Sequence, residues 1–149
     1  MIIHIDISGQ ILQKNKDSSL GFKRTDGKTN CVKIKSRTKK AVLAKYKGQI
    51  NQLPEKLHCI LIYYCIRDYL KNVEKLVICR DENFQRVAHL LPFLFKNHQK
   101  FKKIKLKQKP LDYGKSNGHY PALKGFRKNK YVDKFITREM IEKKILEFK

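Results

Sequence analysis

Apolar and polar positions divide the chain into short extended runs and longer amphipathic ones. Residues 2–9, Ile-Ile-His-Ile-Asp-Ile-Ser-Gly, read as a first strand with an acid, Asp6, near its middle. A polar, basic stretch follows, and residues 19–24 restart an extended pattern that stops at Thr25-Asp26-Gly27-Lys28. Asp-Gly between two such runs marks a hairpin. The return arm, residues 30–35, alternates Val32 and Ile34 with lysines, and residues 41–46 read as a further extended stretch ending at Gly48. The first third is therefore expected to be a β-meander. Pro54-Glu55 opens a helix, because proline is tolerated in the first turn and an acid there meets the positive helix end. It is expected to reach Lys71, with Leu57, Ile60, Leu61, Tyr64 and Leu70 at helical spacing. Cys59, Ile62, Tyr63 and Ile66 widen that stripe, as where a helix packs across a sheet, and the tyrosines belong to the core.

Leu76-Val77-Ile78-Cys79 is a short apolar run between two amphipathic segments, the pattern of a buried parallel strand in a βαβ unit. Phe84, Val87, Leu90, Leu91, Leu94 and Phe95 then mark a helix kinked or broken near Pro92. Residues 101–109 alternate Ile104 and Leu106 with Lys103, Lys105 and Lys107, which suits an edge strand that shows charge to solvent. Residues 110–128, with three glycines and two prolines, read as a loop. From Asn129 onward Val132, Phe135, Ile136, Met140, Ile141, Ile145 and Phe148 predict a final amphipathic helix, with Asp133 in its first turn. The order β-β-β-α-β-α-β-α implies an α/β fold with a mixed five-stranded sheet flanked by helices.

The length, 149 residues, fits one domain over 1–149. Charge changes the picture most: 35 Lys and Arg against 13 Asp and Glu give +22, an imbalance suited to a polyanionic partner. Neutralising phosphates releases counterions, so nucleic acid is the expected partner, although an acidic lipid headgroup surface would meet the same charge. Residues 96–130 hold 12 Lys or Arg and one acid, Asp112, with Tyr113, Tyr120 and Phe126 interleaved to stack on sugar or base. Cys31, Cys59, Cys65 and Cys79 lack CxxC spacing and read as reduced thiols of a cytoplasmic protein. The chain starts in a strand pattern, so no secretory leader is expected, and its longest apolar run, eight residues at 59–66, falls short of the roughly 20 that a membrane span needs. No membrane partner is expected.

Candidate chemistry begins with the acids. Parallel sheets bind ligands at the carboxyl ends of their strands, and Asp81 follows the fourth strand. If strands one and four are neighbours, Asp6 and Asp81 face each other, and two facing carboxylates call for a cation between them. Glu55 and Asp133 taken alone are ordinary acids at helix starts. His4, His58, His89 and His98 read as packing or surface residues.

This order of elements, with acids in strand one, at the first helix, after strand four and at the last helix, resembles the ribonuclease H family. Asp6-Ile7-Ser8 is similar to its Asp-Gly-Ser, and Gly21-Phe22 matches its second strand. Asn51 and Gln52, four and three residues before Glu55, resemble its pair of amides, and Asp81-Glu82-Asn83 its Asp-Ser-Gln. Gly118-His119 resembles its glycine- and histidine-bearing loop, and Asn129 precedes Asp133 by the family's four residues. The resemblance implies a metal-dependent nuclease cutting the RNA strand of RNA–DNA hybrids with two Mg²⁺ ions, or Mn²⁺ in their place, about 3.5–4 Å apart. Asp6 would bridge both metals, Asp81 and Glu55 would hold one, Asp133 the other, and His119 would move protons. Ser8, Asn51, Gln52, Asn83 and Asn129 would contact sugar or strand, and Lys103, Lys105, Lys107 and Lys115 the backbone. Two other readings stand beside it: a Holliday-junction resolvase or other structure-specific nuclease of the same fold, and a non-catalytic basic nucleic-acid-binding protein or ribonucleoprotein subunit.

Overall fold

The computed structural model describes residues 1–79, 83–109 and 118–148. Its elements are β1 (Ile2–Ser8), β2 (Ser18–Arg24), β3 (Thr29–Ile34), α1 (Ser36–Tyr46), α2 (Leu53–Ile66), β4 (Lys75–Ile78), α3 (Phe84–Leu94), β5 (Lys105–Gln108), α4 (His119–Arg127), β6 (Lys134–Phe135) and α5 (Arg138–Lys144). The fold is α/β, with one mixed sheet in the order β5-β4-β1-β2-β3-β6. β1, β2 and β3 form the antiparallel meander, whereas β4 lies parallel to both β1 and β5, and β6 parallel to β3. Strands one and four are thus neighbours, with Ile5 level with Ile78.

One face of the sheet is apolar. Ile3, Ile5, Ile7, Leu20, Phe22, Val32, Ile34, Leu76 and Ile78 are buried in a single cluster with α2. Every residue of α2 from Leu57 to Ile66 is buried, because the helix is enclosed by the sheet, α3 and α5 and has no solvent side. Asn30 Nδ2 donates to Cys65 O at 2.8 Å, fastening the helix to the meander. Within this apolar layer His58 is fully buried and neither ring nitrogen has a hydrogen-bond partner. Burial pulls its pKa down to about 4, so the ring is neutral.

The chain departs from its sequence pattern at several places, and α2 ends at Ile66, short of the expected Lys71. Residues 41–46, expected to be extended, belong to α1: Lys39, Val42, Leu43 and Tyr46 fall at i, i+3, i+4 and i+7, and Asp17 Oδ1 accepts from Ser36 N at 2.7 Å to start the helix. The lysine in that stripe is buried because its ammonium donates to Gln10 O, Gln13 O and Ser18 Oγ. Within the stretch 110–128, expected to be a loop, residues 119–127 form α4; Pro121 is in its first turn, where a backbone N–H is not needed. The last helix begins at Arg138 rather than Asn129, capped by Thr137 Oγ1, which accepts from Met140 N. Residues 134–135 instead add a sixth strand, so the sheet is six-stranded and Asp133 stands before a strand. Finally, residues 101–103 form a 3-10 turn that stacks Phe101 on Phe95 at 4.1 Å between ring centroids, and only residues 105–108 pair as the edge strand. Pro92 lies inside α3, which stops two residues later.

Candidate functional site

The second face of the sheet carries His4, Asp6 and Ser8 on β1, Ser19 and Gly21 on β2, and Cys31 and Lys33 on β3, the alternate positions to the apolar set. α4 lies across this polar face. Gly21 allows it: a Cβ there would stand 2.5 Å from Ala122 N. Gly118, at the helix start, is as tightly placed, since a Cβ would fall 2.6 Å from His4 O and 2.8 Å from Asp6 N. Two glycines that pattern reading placed in a strand and a loop are therefore two sides of one close contact.

The far end of α4 is tied down by Lys33. Its buried ammonium donates to Gly125 O at 2.8 Å, Phe126 O at 3.0 Å and Asn129 Oδ1 at 3.0 Å, and stands 3.6 Å from Asp17 Oδ2. A cation against carbonyls at a helix C-terminus is favourable electrostatically and satisfies groups the helix leaves open. Along the sequence Lys33 only alternates with Val32 and Ile34; the helix above it makes Lys33 an internal clamp.

These contacts set His119 over Asp6. Asp6 Oδ1 accepts from Ile7 N at 2.8 Å, and Oδ2 stands 3.8 Å from His119 Nδ1, an ion pair when the imidazole is protonated. The Asp6 side chain is 11% exposed and that of His119 27%, so the pair is largely desolvated yet reachable from solvent. Burial lowers the pKa of neighbouring His4 below the ordinary imidazole value, leaving it neutral near pH 7. Cys31, bonded to Ser19 Oγ at 3.1 Å, has its thiol pushed up by burial, which makes it a poor nucleophile.

The other predicted positions scatter. Asp6, Gly21, Cys31 and Asp133 form one row across the sheet, with Asp133 three strand spacings from Asp6, roughly 14 Å. Asp133 Oδ2 accepts from Cys31 N at 2.8 Å, so its carboxylate secures the β3 edge and does not join Asp6. Glu55 is in the first turn of α2, on the apolar side of the sheet, with Arg86 Nη1 at 3.7 Å. Asn83 caps α3, accepting from Arg86 N at 3.1 Å, and Asn129 accepts from Lys33 and Lys35, so both amides serve the fold. Asn51 and Gln52 are exposed in the turn before α2, Ser8 ends β1 half-buried, and Lys103, Lys105 and Lys107 are exposed at the β5 edge. Asp81 and Lys115 lie outside the described residues.

Among the described residues no three His, Cys, Asp or Glu side chains gather as a metal site, and Asp6 with His119 supplies one oxygen and one nitrogen donor. None of the four cysteines forms a disulfide, and all are buried. No helix among the described residues is long and apolar enough to cross a membrane. Compared with protein-family profiles, curated proteins and solved structures, the chain has no match.

Proposed function

We propose that this chain is a ribonuclease H-like, metal-dependent nuclease whose favoured substrate is the RNA strand of an RNA–DNA hybrid. One observation carries the reading: a desolvated carboxylate, Asp6, stands on a central strand beside an imidazole that a second element delivers to it. An acid is costly to desolvate in such a place, and perturbed acids cluster at functional sites. The strand parallel to β1 ends at Ile78, three residues before Asp81 in sequence, so a second carboxylate follows the neighbouring strand end. The meander followed by parallel crossover units supports the family reading at the level of architecture.

In this proposal Asp6 and Asp81 would hold the metal, and Asp133, engaged by Cys31 N, takes no part. Mg²⁺ or Mn²⁺ bound there would activate water and stabilise the charge that builds on the phosphate. His119 at the lip of the site holds or moves a proton, while Asp6, already accepting from Ile7 N, keeps one orientation. By the resemblance, the exposed amides Asn51 and Gln52 would read the 2′-hydroxyl.

The test is cleavage of end-labelled hybrid, RNA duplex, DNA duplex and four-way junction with Mg²⁺ or EDTA. Native protein, Asp6→Asn, His119→Ala and Asp133→Asn are compared. The expected result is cutting of the hybrid's RNA strand, lost in EDTA and in Asp6→Asn, reduced in His119→Ala and retained in Asp133→Asn. Cutting of the junction alone would move the chain to the resolvases. Tight binding of all four without cutting would make it a binding protein.

A further inference from the structure

Beside α4 a cavity of about 400 Å³ opens between the helix, the ends of β2 and β3, and the 3-10 turn Asn129–Tyr131. Lys23, Lys124 and Lys130 supply its cations, and Tyr120 and Tyr131 its rings. The tyrosines are unusual for this protein: they are 59% and 45% exposed, whereas Tyr63 and Tyr64 are buried. Two aromatic side chains left about half exposed at one cavity stand outside the apolar core, so the pair is better explained by what can lie against it. Lys124 and Lys130 stand 5.8 and 5.1 Å from the Tyr131 ring centroid, which places positive charge beside an aromatic face. The single acid in the lining, Asp133, is already engaged by Cys31 N, and three ammonium groups outnumber it.

We infer that this cavity binds a nucleotide unit of single-stranded nucleic acid, its base stacked on Tyr131 or Tyr120 and its phosphates on Lys23, Lys124 and Lys130. A volume of about 400 Å³ is within the range of small-molecule sites, and rings interleaved with lysines are the two ingredients of sequence-tolerant single-strand binding. Asp133 orients the unit by repelling phosphate and accepting from a base amino group. The His119 ring lies 5.4 Å from that of Tyr120, so a strand seated in the cavity passes directly beside the Asp6 and His119 pair. The site needs no metal and does not depend on cleavage, so it stands or falls separately from the nuclease reading.

The experiment is fluorescence anisotropy in EDTA with a labelled mixed-sequence single-stranded oligonucleotide and with an abasic oligomer of the same length and charge. Native protein is compared with Tyr131→Ala, Tyr120→Ala and Lys124→Gln. Native protein should bind the base-containing strand at least about fivefold more tightly than the abasic one, and each tyrosine variant should lose most of that difference. Lys124→Gln should weaken both probes alike and lower the slope of log affinity against log salt by about one. Equal binding of the two probes by native protein, or tyrosine variants that discriminate as native does, would overturn the inference and leave only diffuse charge attraction. The two probes differ solely in bases, so the native measurement decides even if a variant folds poorly.

Discussion

On one face of the sheet, isoleucines, leucines and valines meet a helix that is buried all round. On the other, serine, glycine, cysteine and lysine meet a helix whose backbone rests almost directly on the strands. The first contact is driven by area removed from water and tolerates exchange of one apolar side chain for another of similar volume. The second has little apolar area to bury; it relies on closeness at Gly21 and Gly118 and on the three donors of Lys33. A packed apolar layer gives a platform that is stable wherever its residues fit. A close polar layer gives position, and position is what Asp6 and His119 need.

The comparison can be broken most strongly from the apolar side. Ile5→Ala leaves a cavity beneath the centre of β1 and should cost about 4 kcal/mol in a urea titration. The next largest effect comes from His58 and depends on pH. Its folded pKa, about 4, is below the ordinary 6.5, so between these values the unfolded chain takes up a proton that the folded one refuses. Stability from this group is therefore full above pH 6.5, falls as pH drops toward 4, and is level below that, a total of about 3 kcal/mol. His58→Leu should remove that part of the acid slope, seen as a gain in urea midpoint larger at pH 4.5 than at pH 7.5.

Changes on the polar face should cost somewhat less stability and more function. Gly21→Ala forces a methyl against Ala122 N, so α4 must move outward, at about 2–3 kcal/mol. Cleavage should fall with it, because His119 rides on that helix; unchanged cleavage in a folded Gly21→Ala variant would show that α4 does not position the site. Lys33→Met removes the clamp and leaves carbonyls at the end of α4 unsatisfied, costing about 2 kcal/mol by thermal or chemical denaturation. The smallest effect belongs to the edge: Lys105→Gln with Lys107→Gln should change stability by less than about 0.5 kcal/mol.

Reading the sequence recovered β1 to β3, β4 as a parallel strand and the buried α2, because each follows from a period or a run of apolar residues, whereas the neighbouring of β4 and β1 entered only as a condition. It missed α1, where helical spacing is carried by a lysine and three apolar residues and residues 41–46 read as extended. The sixth strand was missed because two residues, Lys134 and Phe135, have no period to show. At the site, Asp6 stood out because an acid inside an apolar strand is physically costly. His119 carried a weaker signal than Asp133, yet it is the histidine that comes within 3.8 Å of Asp6, while Asp133 ends the same row at the β3 edge.

The sequence by itself determined that this chain folds as an α/β protein, that one face of its sheet is apolar, and that its surface carries a large positive charge. Those properties depend on neighbouring residues and on sums, and both can be read along a line. Which polar groups meet was decided only in three dimensions. Lys33 and Gly125 are 92 positions apart, and His119 reaches Asp6 from the opposite end of the chain. Such pairs form because a helix lands on glycines and a lysine anchors its end, and spacing along the chain carries no trace of that contact.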